Sequence, residues 1–225
     1  MSPTSGLLHY NTITPVLKQT LLKLSGEELF APFRLVGGTN LSLRFGHRKS
    51  IDIDLFSDAE YGSIDYSIIE EYLQRHFPYY LCNDRSGIVG FGRSYYIGSS
   101  AEDIIKLDLM YTDPFLLPAE VIDGISMASI ADIIAMKMNV ISRGGRKKDF
   151  WDIHMLLDYY PISEMIQLHA QRYEWEHHEA ELIKNLSNFE IANDEPDPIC
   201  LQQKDWDEIK LDFIDIIYKL ENAPC

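Results

Sequence analysis

The stretch from Phe33 to Phe56 reads FRLVGGTNLSLRFGHRKSIDIDLF, and it decides the fold predicted for this chain. An apolar pair typical of the end of a buried strand precedes Gly37 and Gly38, which let the backbone turn with no Cβ in the way. The apolar positions after Thr39 predict a short helix, whose N-terminus would present N–H groups and partial positive charge to an anion. We therefore expect a phosphate to bind there, with Thr39 either capping the helix or donating a hydrogen bond to a phosphate oxygen.

A pair of carboxylates follows on a predicted strand. Asp52 and Asp54 alternate with Ile51, Ile53 and Leu55, and this period of two predicts a strand. Both carboxylates then lie on one face, roughly 7 Å apart along the strand. Such a pair can hold Mg²⁺ together with waters and phosphate oxygens, and two ions would clamp the attacking and leaving oxygens of an in-line displacement. The alternative is a solvated edge strand with two surface aspartates, and the upstream glycines favour the ion site.

A third carboxylate lies on another alternating stretch, Ile104–Tyr111. The alternation places Lys106, Asp108 and Met110 on one face of a predicted strand and apolar residues on the other. If this strand lies beside the first, Asp108 converges with the earlier pair. From this stretch alone, an exposed acid on a half-buried strand is an equal alternative.

The second half of the chain carries a lysine within an apolar helical stripe. Ser129 and Asp132 predict a capping box, and Lys137 falls between Ile134 and Ile141 on the stripe of the helix that follows. A buried lysine is costly unless it is paired. We expect Lys137 to meet either a triphosphate or an aspartate of the site; the alternative is that it reaches past apolar neighbours to water.

A basic turn and two acids follow on the next predicted helix. Asp149 and Asp152 share a helix face, and Lys148 could pair with Asp152 at a spacing of four. One of these acids would orient a basic residue or act as general base on the attacking hydroxyl. For Asp149, close to the helix start, stabilisation by the helix dipole is the stronger explanation. Arg146 and Lys148 would steady the triphosphate or the acceptor.

These residues resemble the polymerase-β-like nucleotidyltransferases, in which a Gly-Gly or Gly-Ser turn, a short helix, an Asp-x-Asp strand and a third acid recur. More narrowly, VGGTNLSLRFGHRKSIDIDLF with the later RKKDFWDI is similar to the AbiEii group of nucleotidyltransferase-like toxins. The resemblance covers roughly residues 33–157. It implies an α+β fold: a polymerase-β-like lobe with a short mixed sheet flanked by helices, followed by an α-helical C-terminal lobe. We place these lobes at residues 1–125 and 126–225.

The resemblance also implies a chemistry. A nucleoside monophosphate would pass from a nucleoside triphosphate to an acceptor hydroxyl with release of pyrophosphate, and two Mg²⁺ ions would assist. By the resemblance, three acids would bind the metal ions and take part in catalysis: Asp52, Asp54 and Asp108. Eight further residues would bind the nucleotide: Gly37, Gly38, Thr39, Lys137, Arg146, Lys148, Asp149 and Asp152. The biological role would be the toxin of a toxin–antitoxin system, with an antitoxin protein as partner and RNA, such as the tRNA acceptor end, or a protein as acceptor.

Two other functions stay open at this point. An enzyme that modifies small molecules, for instance antibiotics, would share the metal site and need an acidic pocket for a cationic acceptor. A formal net charge of -15 makes such a pocket possible. A protein that only binds a nucleotide or a partner on the same fold is the other alternative, and the three intact aspartates speak against it.

The charge distribution bears on the acceptor. The excess of acids argues against broad non-specific binding of nucleic acid, which depends on neutralising phosphates. Two basic clusters could still guide a polyanion if both flank the cleft, although either could be a solvated surface run. They are Arg44, His47, Arg48 and Lys49, and Arg143, Arg146, Lys147 and Lys148.

Composition predicts a cytoplasmic protein with no membrane contact. The three cysteines, Cys82, Cys200 and Cys225, are scattered, which indicates neither a disulfide framework nor a metal cluster. The first residues, MSPTSGLLHYN, lack the basic and apolar regions of a signal peptide. No apolar run approaches the length of a membrane span.

Overall fold

One mixed sheet organises the first half of the chain. The computed structural model describes residues 7–82 and 90–222, and within these ranges seven strands join in the order β3-β4-β5-β2-β1-β7-β6. The strands are Arg34–Leu35 (β1), Asp52–Ser57 (β2), Tyr79–Cys82 (β3), Gly92–Ser100 (β4), Asp103–Tyr111 (β5), Glu120–Ile122 (β6) and Ile125–Met127 (β7). The β2–β5 and β1–β7 pairs are parallel, and the other pairs are antiparallel.

Nine α-helices cover the sheet and build the second half of the described chain. They are Pro15–Ser25 (α1), Gly37–Phe45 (α2), Tyr66–His76 (α3), Ile130–Ile141 (α4), Lys147–Leu156 (α5), Ile162–Arg172 (α6), Glu179–Asn185 (α7), Glu190–Asn193 (α8) and Trp206–Glu221 (α9). Local sequence fixes several starts, because the Thr14 hydroxyl accepts from Leu17 N and the Ser129 hydroxyl accepts from Asp132 N. None of the described helices has the length and apolar character needed to cross a membrane.

The described residues form two apolar cores, and each core contains residues from both sides of the predicted lobe boundary. The first lies between the sheet and helices α1 and α3 and includes Met127. The second joins helices α4 to α9 and begins in sequence with Val36 and Leu41, followed by Ala128. Because strand β7 runs through residue 125, the sheet extends two residues past the proposed division at 125/126, and the two-lobe division itself stays a prediction.

Several predicted elements need correction. Helix α3 begins at Tyr66 rather than Ser63, because the Asp65 carboxylate accepts from Ser67 N at 3.0 Å and starts the helix there. The spacing of Ile64, Ile68, Ile69 and Leu73 predicts one buried stripe on this helix, but Ile68 is 53% exposed. The single helix predicted over 174–188 is wrong: a turn in which His177 N bonds to Tyr173 O precedes α7. Of the strand predicted over 88–91, residues 88 and 89 lie outside the described residues, and residues 90 and 91 precede strand β4.

Candidate active site

The three predicted acids meet at the centre of the sheet. The parallel register sets Asp54 beside Asp108 and Asp52 beside Lys106. Burial, followed by the charges of Asp108 and Asp52, raises the pKa of Asp54 from 3.8 to about 6. On Asp108, Oδ2 accepts a hydrogen bond from Lys106 Nζ at 2.6 Å, while the buried Oδ1 has no hydrogen-bond partner. The site therefore concentrates negative charge and leaves a buried acceptor oxygen available.

The Gly-Gly turn makes room for charged side chains of the protein itself. Gly37 has φ +68° at the first residue of helix α2, and a Cβ there would overlap the Asp54 carboxylate. A Cβ on Gly38 would overlap the Arg48 guanidinium. The sequence predicted that the glycines admit a phosphate; the structure adds that they admit Asp54 and Arg48. The first N–H groups of α2 have no partner within the helix, as at any helix start.

Thr39 does not have the side-chain roles expected from the sequence. The N-cap of α2 is Val36, and no side chain caps this helix. The Thr39 hydroxyl is buried and donates to the Asp52 carbonyl oxygen at 2.5 Å, with Ser50 Oγ at 2.8 Å. It therefore ties α2 to the start of β2, and any phosphate contact of Thr39 would have to use its backbone N–H.

A buried ion network lies behind the carboxylates. Lys137 Nζ lies 2.5 Å from Asp149 Oδ1 and 2.8 Å from Asp152 Oδ2. Arg48 binds both oxygens of Asp152, at 2.7 and 2.8 Å, and His47 Nε2 lies 2.7 Å from the same carboxylate. Of the partners predicted for Lys137, the structure shows the aspartates, and the lysine does not reach water. Its contact with a triphosphate stays a prediction.

The charges in this network set the ionisation of both acids. Burial would raise the pKa of Asp152, but Arg48, Lys137 and His47 hold that pKa well below its usual range. Burial also opposes ionisation of Asp149, and Lys137 and Arg146 outweigh it and lower its pKa. Both acids are fully buried and paired with cations, which disfavours a general-base role, and that role stays an untested prediction. Orienting the basic residues is the role that fits their contacts.

Lys148 and Arg146 lie on the solvent side of the network, and Lys148 has a different partner from the one predicted. Lys148 does not form the predicted pair with Asp152; its Nζ lies 4.0 Å from Asp52 Oδ2. Burial, Arg146 and Lys137 together lower the pKa of Lys148. Arg146 donates through Nε to Asp149 Oδ2 at 3.2 Å and remains half exposed. Arg146 and Lys148 thus face the carboxylates of the sheet from the helical half.

The first predicted basic cluster is not a solvated run. Arg44 is buried and bonds to Asn40, Glu120 and the Ala128 carbonyl oxygen. His47 and Arg48 are also buried, on Asp152. The charges of Arg44 and Arg48 are compensated inside the protein, so these two residues do not form a surface for a polyanion.

One cavity of about 340 Å³ joins these groups. Strand β2, the start of α2, helix α4 and the start of α5 form most of its walls. Its charged lining residues are Arg48, Asp52, Asp54, Lys106, Asp108, Lys137, Arg146, Lys148 and Asp149. Sequence reasoning did not assign site roles to Arg48, Lys106, Asn139 or Tyr173, which also line it; only the alternation around Asp108 placed Lys106 on the correct face.

Asp54 and Asp108 could supply part of the ligands of a divalent cation, with the remaining ligands coming from water and substrate. In the described part of the chain, no three His, Cys, Asp or Glu side chains are grouped so that they alone could hold a metal ion. Asp54 and Asp108 are nonetheless adjacent, repel one another and leave one buried oxygen unpartnered. A hard cation coordinated by two carboxylates, waters and phosphate oxygens matches that donor set.

Comparison with known proteins identifies the class. The family match shows a nucleotidyltransferase, a class with which the fold and the cavity of carboxylates and cations agree. A family model described as "Nucleotidyl transferase AbiEii toxin, Type IV TA system" matches residues 19–216. The chain belongs to this AbiEii nucleotidyltransferase toxin family, as the resemblance of its motifs predicted.

Individual relatives are distant. An uncharacterized protein of Aquifex aeolicus (strain VF5) is 28% identical over 183 residues, covering 79% of this chain and 84% of that protein. The structure of MenT4, a nucleotidyltransferase toxin of Mycobacterium tuberculosis H37Rv, matches with a TM-score of 0.61 at 15% identity, covering 93% of this chain and 83% of that one. JHP933 of Helicobacter pylori matches with a TM-score of 0.50 at 19% identity, covering 90% and 91%. At these identities the structural matches confirm the predicted fold.

Proposed function

We propose that this protein moves a nucleoside monophosphate from a nucleoside triphosphate to an acceptor hydroxyl and releases pyrophosphate, with Mg²⁺ as cofactor. The observation that carries the proposal is the register of β2 and β5, which sets Asp54 beside Asp108 and opposite Arg146 and Lys148 in one cavity. Reactions of this kind depend mainly on positioning and on neutralising phosphate charge.

Each group has a proposed part. The N–H groups at the start of α2 and the side chains of Arg146 and Lys148 bind the phosphates. Asp54 and Asp108, with Asp52 beside them, would hold two Mg²⁺ ions, which would supply positive charge to the phosphates. Asp108, whose Oδ1 has no hydrogen-bond partner, would accept the proton of the acceptor hydroxyl. Lys137, Asp149 and Asp152 act as positioning residues, because their charges are paired within the protein.

The acceptor has its own route to this centre. A second pocket, of about 350 Å³, shares Arg48, Ser50, Asp52, Arg146 and Lys148 with the first cavity. Its outer wall is the 195–199 loop. We propose that the acceptor approaches through this pocket, because an in-line attack needs access to the phosphate from the side opposite the departing pyrophosphate.

Family membership guides the biological proposal. The protein is a toxin-family nucleotidyltransferase, and we propose that it acts in the cytoplasm, counteracted by an antitoxin, on RNA such as the tRNA acceptor end or on a protein. Two cations, the exposed Arg146 and the partly buried Lys148, border both pockets and would contact a phosphodiester acceptor. The rest of this acidic surface would repel other parts of a nucleic acid, which suits recognition of an end rather than of a long duplex.

The acceptor can be found by labelling. The wild-type protein would be incubated with Mg²⁺, nucleoside triphosphates labelled at the α-phosphate, and bacterial RNA, protein or small-molecule fractions, with the Asp54→Asn variant as control. We expect label in one discrete RNA species, removable by ribonuclease. Label in a protein would show that the acceptor is a protein rather than RNA. Label only in small molecules would favour a small-molecule-modifying enzyme over a toxin. Equal labelling by the variant would refute the site.

A further inference from the structure

We infer that Lys106 competes with the divalent cation for the Asp108 carboxylate, and that this competition makes metal binding depend on the nucleotide. The inference rests on the proposed function, which brings Mg²⁺ and a triphosphate into one cavity. It deepens that function by giving a role to a cavity lysine that the proposed chemistry leaves unused. Its basis is the position of the Lys106 ammonium among the three site acids.

The Lys106 ammonium lies on an oxygen that would coordinate the metal ion. Its Nζ donates to Asp108 Oδ2 at 2.6 Å, and both side chains line the cavity. The other oxygen of Asp108, Oδ1, is buried. An ion that enters from the cavity therefore meets Oδ2 first, and Lys106 already holds that oxygen.

The strand register also brings Lys106 close to the other two acids. Lys106 is the partner of Asp52 across the parallel strands β2 and β5, and Asp108 is the partner of Asp54. Burial opposes the charge on Lys106, but the hydrogen bond to Asp108 and the charges of the three acids outweigh burial and raise its pKa. The side chain is thus an ammonium at neutral pH. A positive charge at this place repels a divalent cation that binds to the same acids.

Lys106 is free to exchange one anionic partner for another. A lysine has a flexible stem and a compact charge, and the side chain of Lys106 is 36% exposed at the cavity. A metal ion that binds alone takes Asp108 from Lys106 and offers no anion in return. A triphosphate that binds with the metal supplies phosphate oxygens to which the ammonium can turn.

The consequence is a coupling between the two ligands. Binding of the metal alone is opposed by the loss of the contact between Lys106 and Asp108, whereas binding of the metal with a triphosphate is not. By linkage, the nucleotide raises the affinity for the metal by the same factor as the metal raises the affinity for the nucleotide. Lys106 therefore keeps the affinity for Mg²⁺ low until the nucleotide binds.

Titration of Mg²⁺ into the full chain without nucleotide, followed by calorimetry, tests the competition. Lys106→Met removes the charge and keeps most of the stem, and we expect it to bind Mg²⁺ about tenfold or more tightly than the wild type. Lys106→Arg keeps the charge and should stay close to the wild type. Lys184→Met changes an exposed lysine that does not line the cavity, and this matched control should leave the affinity unchanged.

One further variant separates the charge of Lys106 from a structural role. Lys106→Gln keeps a hydrogen-bond donor without the charge, and it should also bind Mg²⁺ more tightly than the wild type. A lysine that only supports the fold, or that only positions Asp108, predicts unchanged or weaker Mg²⁺ binding in both uncharged variants. That result, in protein whose thermal unfolding shows it to be folded, overturns the inference.

The coupling is measured with nucleotides that cannot react. The α,β-methylene analogues of ATP, GTP, CTP and UTP would each be titrated into the wild type, with Mg²⁺ or with chelator. For the analogue that binds most tightly, the ratio of the two affinities is compared between proteins, so that binding of Mg²⁺ to the free nucleotide cancels. We expect the ratio to be about tenfold smaller in Lys106→Met than in the wild type. Equal ratios, or binding of none of the four analogues, overturn the coupling.

Transfer of α-label in the same proteins distinguishes the two levels of the proposal. The predicted Mg²⁺ affinities and ratios without transfer of label would leave the role of Lys106 standing and refute the proposed function. Transfer by the wild type, together with the same Mg²⁺ affinity in Lys106→Met as in the wild type, would do the reverse.

Discussion

Replacement of Asp54 by Asn tests the electrostatics of the candidate active site, because the ionised Asp54 carboxylate destabilises the folded protein. Its pKa rises from 3.8 to about 6 in the folded protein, through burial and through the charges of Asp108 and Asp52. A carboxyl whose pKa is raised on folding contributes stability that is fully present below 3.8 and lost as the pH rises through about 6. At pH 7 the ionised group is therefore a cost to folding.

The size of the effect follows from that interval. One pKa unit corresponds to about 1.4 kcal/mol, so the interval from 3.8 to about 6 is worth at most about 3 kcal/mol at neutral pH. Asp54→Asn removes the charge and keeps the shape. We expect the free energy of unfolding at pH 7 to rise by about 1–3 kcal/mol in the absence of divalent cations, and the gain to vanish near pH 4.

The assay is urea unfolding of the wild type and the variant at several pH values between 4 and 8, in chelator. An exposed aspartate that does not line the cavity provides the control, and Asp194→Asn should show no such dependence on pH. Added Mg²⁺ should stabilise the wild type and not Asp54→Asn. A variant that is less stable than the wild type at pH 7, or a difference that is the same at every pH, would refute the reasoning.

Three further outcomes follow from the same contacts. Lys137→Met should lower the free energy of unfolding by up to about 3–5 kcal/mol in chemical denaturation, because it removes the cation that two buried carboxylates share; a neutral effect would contradict the ion network. Gly38→Ala should reduce nucleotide transfer at least tenfold, because the added Cβ displaces Arg48. Gly90→Ala, where a Cβ meets nothing within 4 Å, should retain transfer. Equal losses in the two variants would contradict the importance of the contact between Gly38 and Arg48. The pKa of His169, lowered from 6.5 to about 4, predicts stability that is present above 6.5 and lost as the pH falls through 4. His169→Gln should therefore flatten that part of the unfolding curve, and an unchanged acid limb would argue against a neutral buried His169.

The sequence predicted the elements with strong periodicity and with local start signals. The strand that the sequence predicts over Tyr79–Cys82 is found there as β3. The helix that it predicts over Ser129–Ser142 is found as α4, one residue shorter at each end. Strands β6 and β7 were not predicted, because three residues are too few to show a period. The 174–188 stretch carries helix-forming residues throughout, yet a turn bonded to the Tyr173 carbonyl oxygen occupies its first part.

The sequence predicted which residues belong to the site but not which side chains contact one another there. Alternation around Asp54 and Asp108 placed each on one face of its strand, and parallel pairing brought the two together. No local pattern reveals that Arg48 binds Asp152, which lies more than a hundred residues away in the sequence. Nor does one reveal that Lys148 lies near Asp52 rather than Asp152. Such long-range pairs depend on how the helical half packs against the sheet.

The position of the label in the nucleotide tests the central claim most directly. Purified protein with Mg²⁺ and its acceptor would receive the same nucleoside triphosphate labelled at either the α- or the γ-phosphate, alongside Asp54→Asn. The proposed chemistry predicts that α-label joins the acceptor and γ-label appears in pyrophosphate, both dependent on Asp54. Appearance of γ-label on the acceptor, or α-label transfer that survives in Asp54→Asn, would contradict it.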